Sequence, residues 1–321
     1  MMVRNNQIPR VAALIPTLFC LFALATAGID GDAGSNGFSF LKVSPDATTA
    51  ALANSSVASS GRQPIAVLNP AGLARLNHLV VTATHTRWFS TITQNYLGTA
   101  WKQWDGTAAI SLRTQSSGDI PLRGADLGTA FGAVPTPEPS GTYGVYDAAL
   151  TISYGFAWQG FDWGAGLSYI YEKIYTSQAT AIAVDLGIQW HEGPWANGFA
   201  VRNLGRSGEM QSERVSLPWD ARLGGSYSRA IGDIGMTALT EIRYTPDYVE
   251  TVHFGIETSP VKPLTLRAGY HVGLNGATSD DGWSAGIGLR WHGMAVNYAF
   301  LPEIEEFGGR HLFTLSSGGS Y

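Results

Sequence analysis

The sequence predicts an all-β fold, a transmembrane antiparallel β-barrel of about 14 strands with a short N-terminal helical plug. Three observations carry the prediction. From Leu79 onward, fourteen segments alternate apolar and polar residues with a period of two. Charged residues make up only 14% of the chain, against about 25% in an average soluble domain. At the same time 39 Gly, 10 Trp and 13 Tyr accompany a mean hydropathy of +0.01. The third is the alternation of short and, in general, longer connections, as periplasmic turns and external loops require.

Residues 1–27 read as a secretory signal. Arg4 and Arg10 give the positive region, Val11 to Leu24 the apolar region, and Ala25-Thr26-Ala27 the A-x-A cleavage site. That apolar run of 14 residues is too short to span a bilayer. Export through the Sec pathway, cleavage near Ala27 and an outer-membrane destination follow as expectations. The only cysteine, Cys20, lies inside the signal, so the mature chain is expected to have no thiol chemistry. Loss of Arg4 and Arg10 takes the net charge from −5 to −7, and no basic patch for nucleic acid remains.

Residues 28–78 are expected to form the N-terminal segment and plug. Asp30-Gly31-Asp32 has the start of a calcium loop but no further acidic ligand at the right spacing. Phe40, Val43, Ala47, Ala50, Ala51 and Ala53 fall on one face if residues 38–58 are helical. Asn69, Pro70 and Gly72, in Asn-Pro-Ala-Gly-Leu-Ala, mark a corner that turns the plug into the first strand. Proline fixes its own φ and drives the residue before it out of the α region.

Residues 79–321 are expected to form the barrel. The segment 282–292 is the clearest strand, with Trp283, Ala285, Ile287, Leu289 and Trp291 on one face and small or charged residues on the other. Tryptophans favour strand ends, as at a membrane interface. With only four lysines in the chain, the alternate face does not suit water. The lumen-lining candidates are Arg222, Glu241, Arg243, His253, Glu257, Arg267 and Arg290, expected to pair with one another in a narrow barrel. The longest connection is expected over 115–147, and further long ones over 174–178 and 205–218.

Two motifs invite chemistry. Gly282-Trp-Ser-Ala-Gly286 matches a nucleophile elbow, but it lies within an alternating strand rather than at a strand-to-helix turn, so Ser284 reads as a small lumen residue. His253, His271 and His292 share the lumen parity, without the spacing of a metal motif. The expectation is therefore a non-enzyme, with no cofactor and no metal.

Several blocks resemble the PorV/PorQ family of outer-membrane barrels, itself similar in architecture to FadL-type fatty-acid channels. They are Phe38-Ser-Phe-Leu41, Asn69-Pro-Ala-Gly-Leu-Ala74 with Trp88-Phe89, and Ala183-Val-Asp-Leu-Gly187. Further along come Val201-Arg-Asn-Leu-Gly205, Leu217-Pro-Trp-Asp-Ala-Arg-Leu-Gly224 and Leu264-Thr-Leu-Arg-Ala-Gly-Tyr270. Tyr298-Ala-Phe-Leu-Pro302 and Gly309-Arg-His311 follow in order. The resemblance implies a fourteen-stranded barrel with an N-terminal plug, embedded in outer-membrane lipid. It also implies a binding or shuttle role in type IX protein secretion, with cargo proteins or other secretion components as partners. The alternative is a FadL-like passive channel for hydrophobic small molecules. The chain departs from the family pattern at Pro45-Asp-Ala-Thr-Thr-Ala50 and at its C-terminus.

Overall fold

Fourteen antiparallel strands close into a single barrel in the computed structural model. It describes residues 36–61, 63–88, 91–122, 125–126, 134–135, 138–210, 213–246, 250–274, 281–302 and 308–318. The expected signal segment and Asp30-Gly31-Asp32 lie outside these residues. The wall begins with β1 (Val80–Arg87), β2 (Thr93–Gln103), β3 (Gly106–Leu122), β4 (Gly141–Trp158) and β5 (Phe161–Ile174). It continues with β6 (Ser177–Glu192), β7 (Trp195–Ser207), β8 (Asp220–Ile231), β9 (Ile234–Tyr244) and β10 (Thr251–Val261). β11 (Leu264–Gly273), β12 (Gly282–Trp291), β13 (Met294–Pro302) and β14 (Gly309–Ser317) complete it. Each strand pairs with its sequence neighbour, and β14 returns to β1 with Val81 opposite Ser317 and Arg87 opposite His311. Closure leaves no unpaired edge, which is the only way a sheet can satisfy its backbone in lipid.

The alternation decides which side of the wall each residue takes. Leu97, Leu167, Tyr169, Ile182, Leu289, Val296 and Phe313 all point outward and are more than half exposed. An apolar band running round the whole wall would be untenable in water and is what a lipid-facing barrel presents. Trp104, Trp158, Trp195 and Trp291 stand exposed at the short-turn end, at the level where amphipathic rings meet headgroups.

The core is inside out: it consists of the lumen and the N-terminal segment that fills it. Among the described residues helicity is confined to a 3-10 turn at Ser39–Lys42, an α-helix α1 (Ala47–Ala51), and 3-10 turns at Gln63–Val67 and Pro70–Arg75. The continuous helical face expected over 38–58 is thus two short pieces. Asp46 is the reason for the break: it sits in extended backbone after Pro45 and caps α1, its side chain accepting from the N–H groups of Thr48 and Thr49 at 2.8 and 3.0 Å.

Two connections differ from expectation. β3 and β4 extend the expected strands to Leu122 and back to Gly141, which shortens the long connection. The extension is polar (Thr114, Gln115, Ser116, Ser117), so the period-two signal fades where the ribbon continues. Between β5 and β6 only Tyr175 and Thr176 intervene, with Tyr175 at φ 56°, a tight turn in place of the expected longer loop. The 208–219 connection carries its own small ribbon, Glu209–Met210 against Glu213–Arg214.

Candidate functional site

The plug runs from the long-loop half of the lumen down to the short-turn end, where it becomes β1. Its polar groups are fastened to the wall one after another. The N–H of Phe38 donates to Glu172 Oε2 at 2.7 Å, and Arg113 donates to the carbonyl of Leu41 at 3.2 Å. The Ala47 N–H reaches Thr314 Oγ1 at 2.9 Å, and His253 Nδ1 lies 2.6 Å from the Ala53 carbonyl. Val57 donates to Glu241 Oε2 at 2.8 Å, while its carbonyl accepts from Gln189 Nε2 at 2.7 Å. Arg202 donates to the Val67 carbonyl at 2.9 Å, and Arg75 pairs with Asp162 at 2.5 Å. A short plug has few backbone partners of its own, so the wall supplies them.

Asn69 sits at the centre of this fastening and is fully buried. Its Oδ1 accepts from the Ala71 N–H at 3.1 Å and caps the turn that begins at Pro70; its Nδ2 donates to the Val57 carbonyl at 2.7 Å. The corner therefore joins two plug segments to each other. Asparagine can cap and donate at once, which aspartate cannot.

The wall makes room for the plug with glycine. A side-chain carbon placed at Gly155, Gly164, Gly187, Gly198, Gly224, Gly255, Gly269 or Gly286 would come within 3 Å of a plug atom. These eight residues belong to eight different strands, β4 to β8 and β10 to β12. At Gly164 the obstacle is the Pro70–Ala71 backbone, and Gly72 in turn lies against the Ser59 carbonyl and Ile65.

The sequence-predicted lumen residues fall into two groups. Arg222, Glu241, Arg243 and His253 are in the long-loop half. There Arg222 pairs with Glu241 at 3.1 Å and with Asp220 at 2.9 Å, and Arg243 reaches Asp220 at 3.1 Å. Arg202 also holds Asp220, through both carboxylate oxygens. Asp220, Arg202, Arg113 and Asp185 belong to this buried array and were not singled out from the sequence. Asp220 and Arg222 are two apart in one strand, a parity that marks them as lumen neighbours. Glu257, Arg267 and Arg290 line a cavity of about 340 Å³ at the short-turn end, with Ser59, Thr237 and Asn297 among its other walls. Within it Arg267 pairs with Glu257 at 2.5 Å.

Ser284 is no nucleophile in this setting. Its Oγ donates to the Ala51 carbonyl at 3.0 Å and accepts from the Ala53 N–H at 3.1 Å, so it closes the C-terminal end of α1. Ser284→Ala is expected to cost about 1–3 kcal/mol of stability, because the buried Ala51 carbonyl loses its partner while the Ala53 N–H keeps only its bond to the Ala50 carbonyl. Denaturant unfolding, followed by gel migration of unheated samples, measures it; unchanged stability would show that the plug relaxes around the loss. Nor do the histidines gather. His253 and His271 stack at 5.6 Å, but His292 occupies the β12–β13 turn at φ 47°, off the lumen face expected for it. Among the described residues no group of three or more His, Cys, Asp or Glu is placed to hold a metal.

Among the described residues three clusters of the lumen are apolar, and one of them surrounds two phenyl rings. Phe38, Phe40 and Leu41 are buried against Ala149, Ile170, Ala179, Ala181, Ala183 and Leu217, with Met210 and Val215 packed at the margin. Four alanines opposite two phenyl rings define a chamber shaped by small side chains. Sequence reasoning gave it no place, because alanine at lumen parity looks the same whether it faces water or a ring.

No protein-family model and no curated protein sequence matches this chain. Solved structures do. The Pseudomonas putida toluene transporter TodX aligns over 86% of this chain and 98% of its own, with a TM-score of 0.62 at 11% identity. The CymD monoaromatic hydrocarbon channel aligns over 87% and 98%, with a TM-score of 0.58 at 11% identity. The Ralstonia pickettii toluene transporter TbuX aligns over 85% and 97%, with a TM-score of 0.54 at 11% identity. The shared feature is the fold, a closed fourteen-stranded barrel.

Proposed function

We propose that this protein is an outer-membrane channel for small hydrophobic molecules, with the plug as the closure of its lumen. The observation that carries the reading is the apolar chamber around Phe38 and Phe40 in the long-loop half. A polar lumen repels an apolar solute, whereas a chamber of Ala, Ile and Leu offers it about 25 cal/mol for each Å² removed from water. The neighbouring folds named for toluene and monoaromatic hydrocarbons support the same reading. The secretion role implied by the PorV/PorQ resemblance gains no support from these neighbours, and it is set aside in favour of the channel alternative. The chemistry required is selective passage rather than turnover.

Uptake of toluene into proteoliposomes bearing the full chain tests the proposal. The protein is expected to accelerate uptake over protein-free vesicles, and Ala181→Glu to reduce that acceleration at least about tenfold, because an unpaired carboxylate in the chamber is costly to desolvate. Migration of unheated protein on a gel confirms that the variant barrel is formed. Uptake equal to that of empty vesicles would sink the reading.

A further inference from the structure

Just above the apolar chamber, three oxygen-bearing side chains of the lumen face stand side by side on neighbouring strands. Gln115 of β3 is opposite Asp147 of β4, and Asp147 is opposite Glu172 of β5. Directly opposed residues hold their Cβ atoms about 4.5–5.5 Å apart, and like charges in that position repel. Asp147 is 2% exposed and Glu172 is 6% exposed, so water does little to screen them. Neither carboxylate has a salt bridge among the described residues. Asp147 Oδ2 accepts from Gln115 Nε2 at 3.3 Å, and Glu172 Oε2 accepts from the Phe38 N–H at 2.7 Å. Asp147 Oδ1 and Gln115 Oε1 are buried with no hydrogen-bond partner among the described residues.

Buried acceptors without donors are rare in folded proteins, and a buried carboxylate pair without a cation is rarer. A proton shared between the carboxylates would relieve one acceptor and leave the Gln115 oxygen unpartnered. A cation relieves all of them together. We propose that Gln115, Asp147 and Glu172 bind a hard divalent cation, and that the cation is calcium. The ligand set is all oxygen, two carboxylates and one amide carbonyl, which suits Ca²⁺ and offers nothing to soft metals. Calcium accepts irregular coordination and completes its shell with water, as three protein ligands require. Three ligands with two charges correspond to a weak site of the extracellular kind, with Kd on the order of 10⁻⁴–10⁻³ M.

The site has a consequence for the plug. Glu172 carries the Phe38 N–H, and Phe38 and Phe40 fill the chamber. A cation bound to Glu172 fixes the leading end of the plug in place, so calcium stabilises the closed lumen. This holds whether or not the solute is a hydrocarbon.

The test is calorimetric titration of CaCl₂ into the full chain, stripped with EDTA and held in a neutral detergent, together with thermal melting at 0 and about 10 mM Ca²⁺. The wild-type protein is expected to bind one calcium and to melt at a higher temperature with it. Asp147→Asn and Gln115→Leu, each checked for a folded barrel by gel migration, are expected to weaken binding at least about tenfold and to lose the shift. Absence of heat and of any shift in the wild type overturns the site. Equal binding by wild type and Asp147→Asn also overturns it, placing the cation elsewhere. A melting temperature that follows pH but not calcium, and ceases to do so in Asp147→Asn, overturns it in favour of a shared proton.

Discussion

Gly164→Val is expected to drive the plug out of the lumen while the wall still closes. The added carbons would meet the backbone of Pro70 and Ala71, which cannot rotate aside as a side chain can. Overpacking by a methylene or two costs about 1–3 kcal/mol in a compliant core; against backbone held by the Asn69 cap and a ring of neighbouring glycines, the cost lies at or beyond the upper end of that range. The wall can close without this contact, because each of its strands pairs with its two neighbours. Single-channel recording in planar bilayers reads the outcome: the variant should show stable open conductance where the wild type shows little. Gly235→Val is the control, since a side chain there meets nothing within 4 Å. A Gly164→Val protein as closed and as stable as the wild type would show that the plug is not held by close approach.

Asp220→Ala is expected to be the most damaging single loss of charge in the lumen, at about 3–5 kcal/mol. Asp220 has no exposed surface and is shared by Arg202, Arg222 and Arg243. Its removal leaves three guanidinium groups in the long-loop half, of which Arg222 keeps a pairing with Glu241. Desolvation makes the unpaired charges costly, and the array also carries the plug contacts to Val57 and Val67. Glu257→Gln gives the comparison. That side chain is 32% exposed in the short-turn cavity, so solvent screens its pairing with Arg267 and the expected cost is under about 1 kcal/mol. Denaturant midpoints of the two variants should therefore separate clearly. Similar midpoints would mean that water reaches the Asp220 array.

The wall was legible residue by residue. Period-two alternation placed all fourteen strands, since a strand has only two faces and the two solvents on either side of this sheet differ in polarity. The alternation failed where both sides become alike, along Thr114–Ser117, where the ribbon of β3 and β4 runs on, and at His292, where the strand has already given way to a turn. The lumen parity of Arg222, Glu241, Arg243 and His253 was legible for the same reason. Asp220 and Arg202 were equally available by parity, but no local signal said that they meet, because Arg202 is on β7 and Asp220 on β8. Helical spacing over 38–58 misled, because a plug in a lumen follows the shape of its container rather than its own periodicity.

The sequence alone therefore determined the barrel and its strand number. Those are properties of local pattern and of backbone stereochemistry. Only the tertiary structure decided what the lumen contains. It showed that eight glycines seat the plug, that Ser284 closes α1, and that Phe38 and Phe40 fill an apolar chamber next to Asp147, whose Oδ1 has no hydrogen-bond partner among the described residues. The physical reason is distance along the chain: the Phe38 contact to Glu172 spans 134 residues and the Ala51 contact to Ser284 spans 233. Pairings of that length arise from the closure of the wall around the plug, and no stretch of sequence carries them by itself.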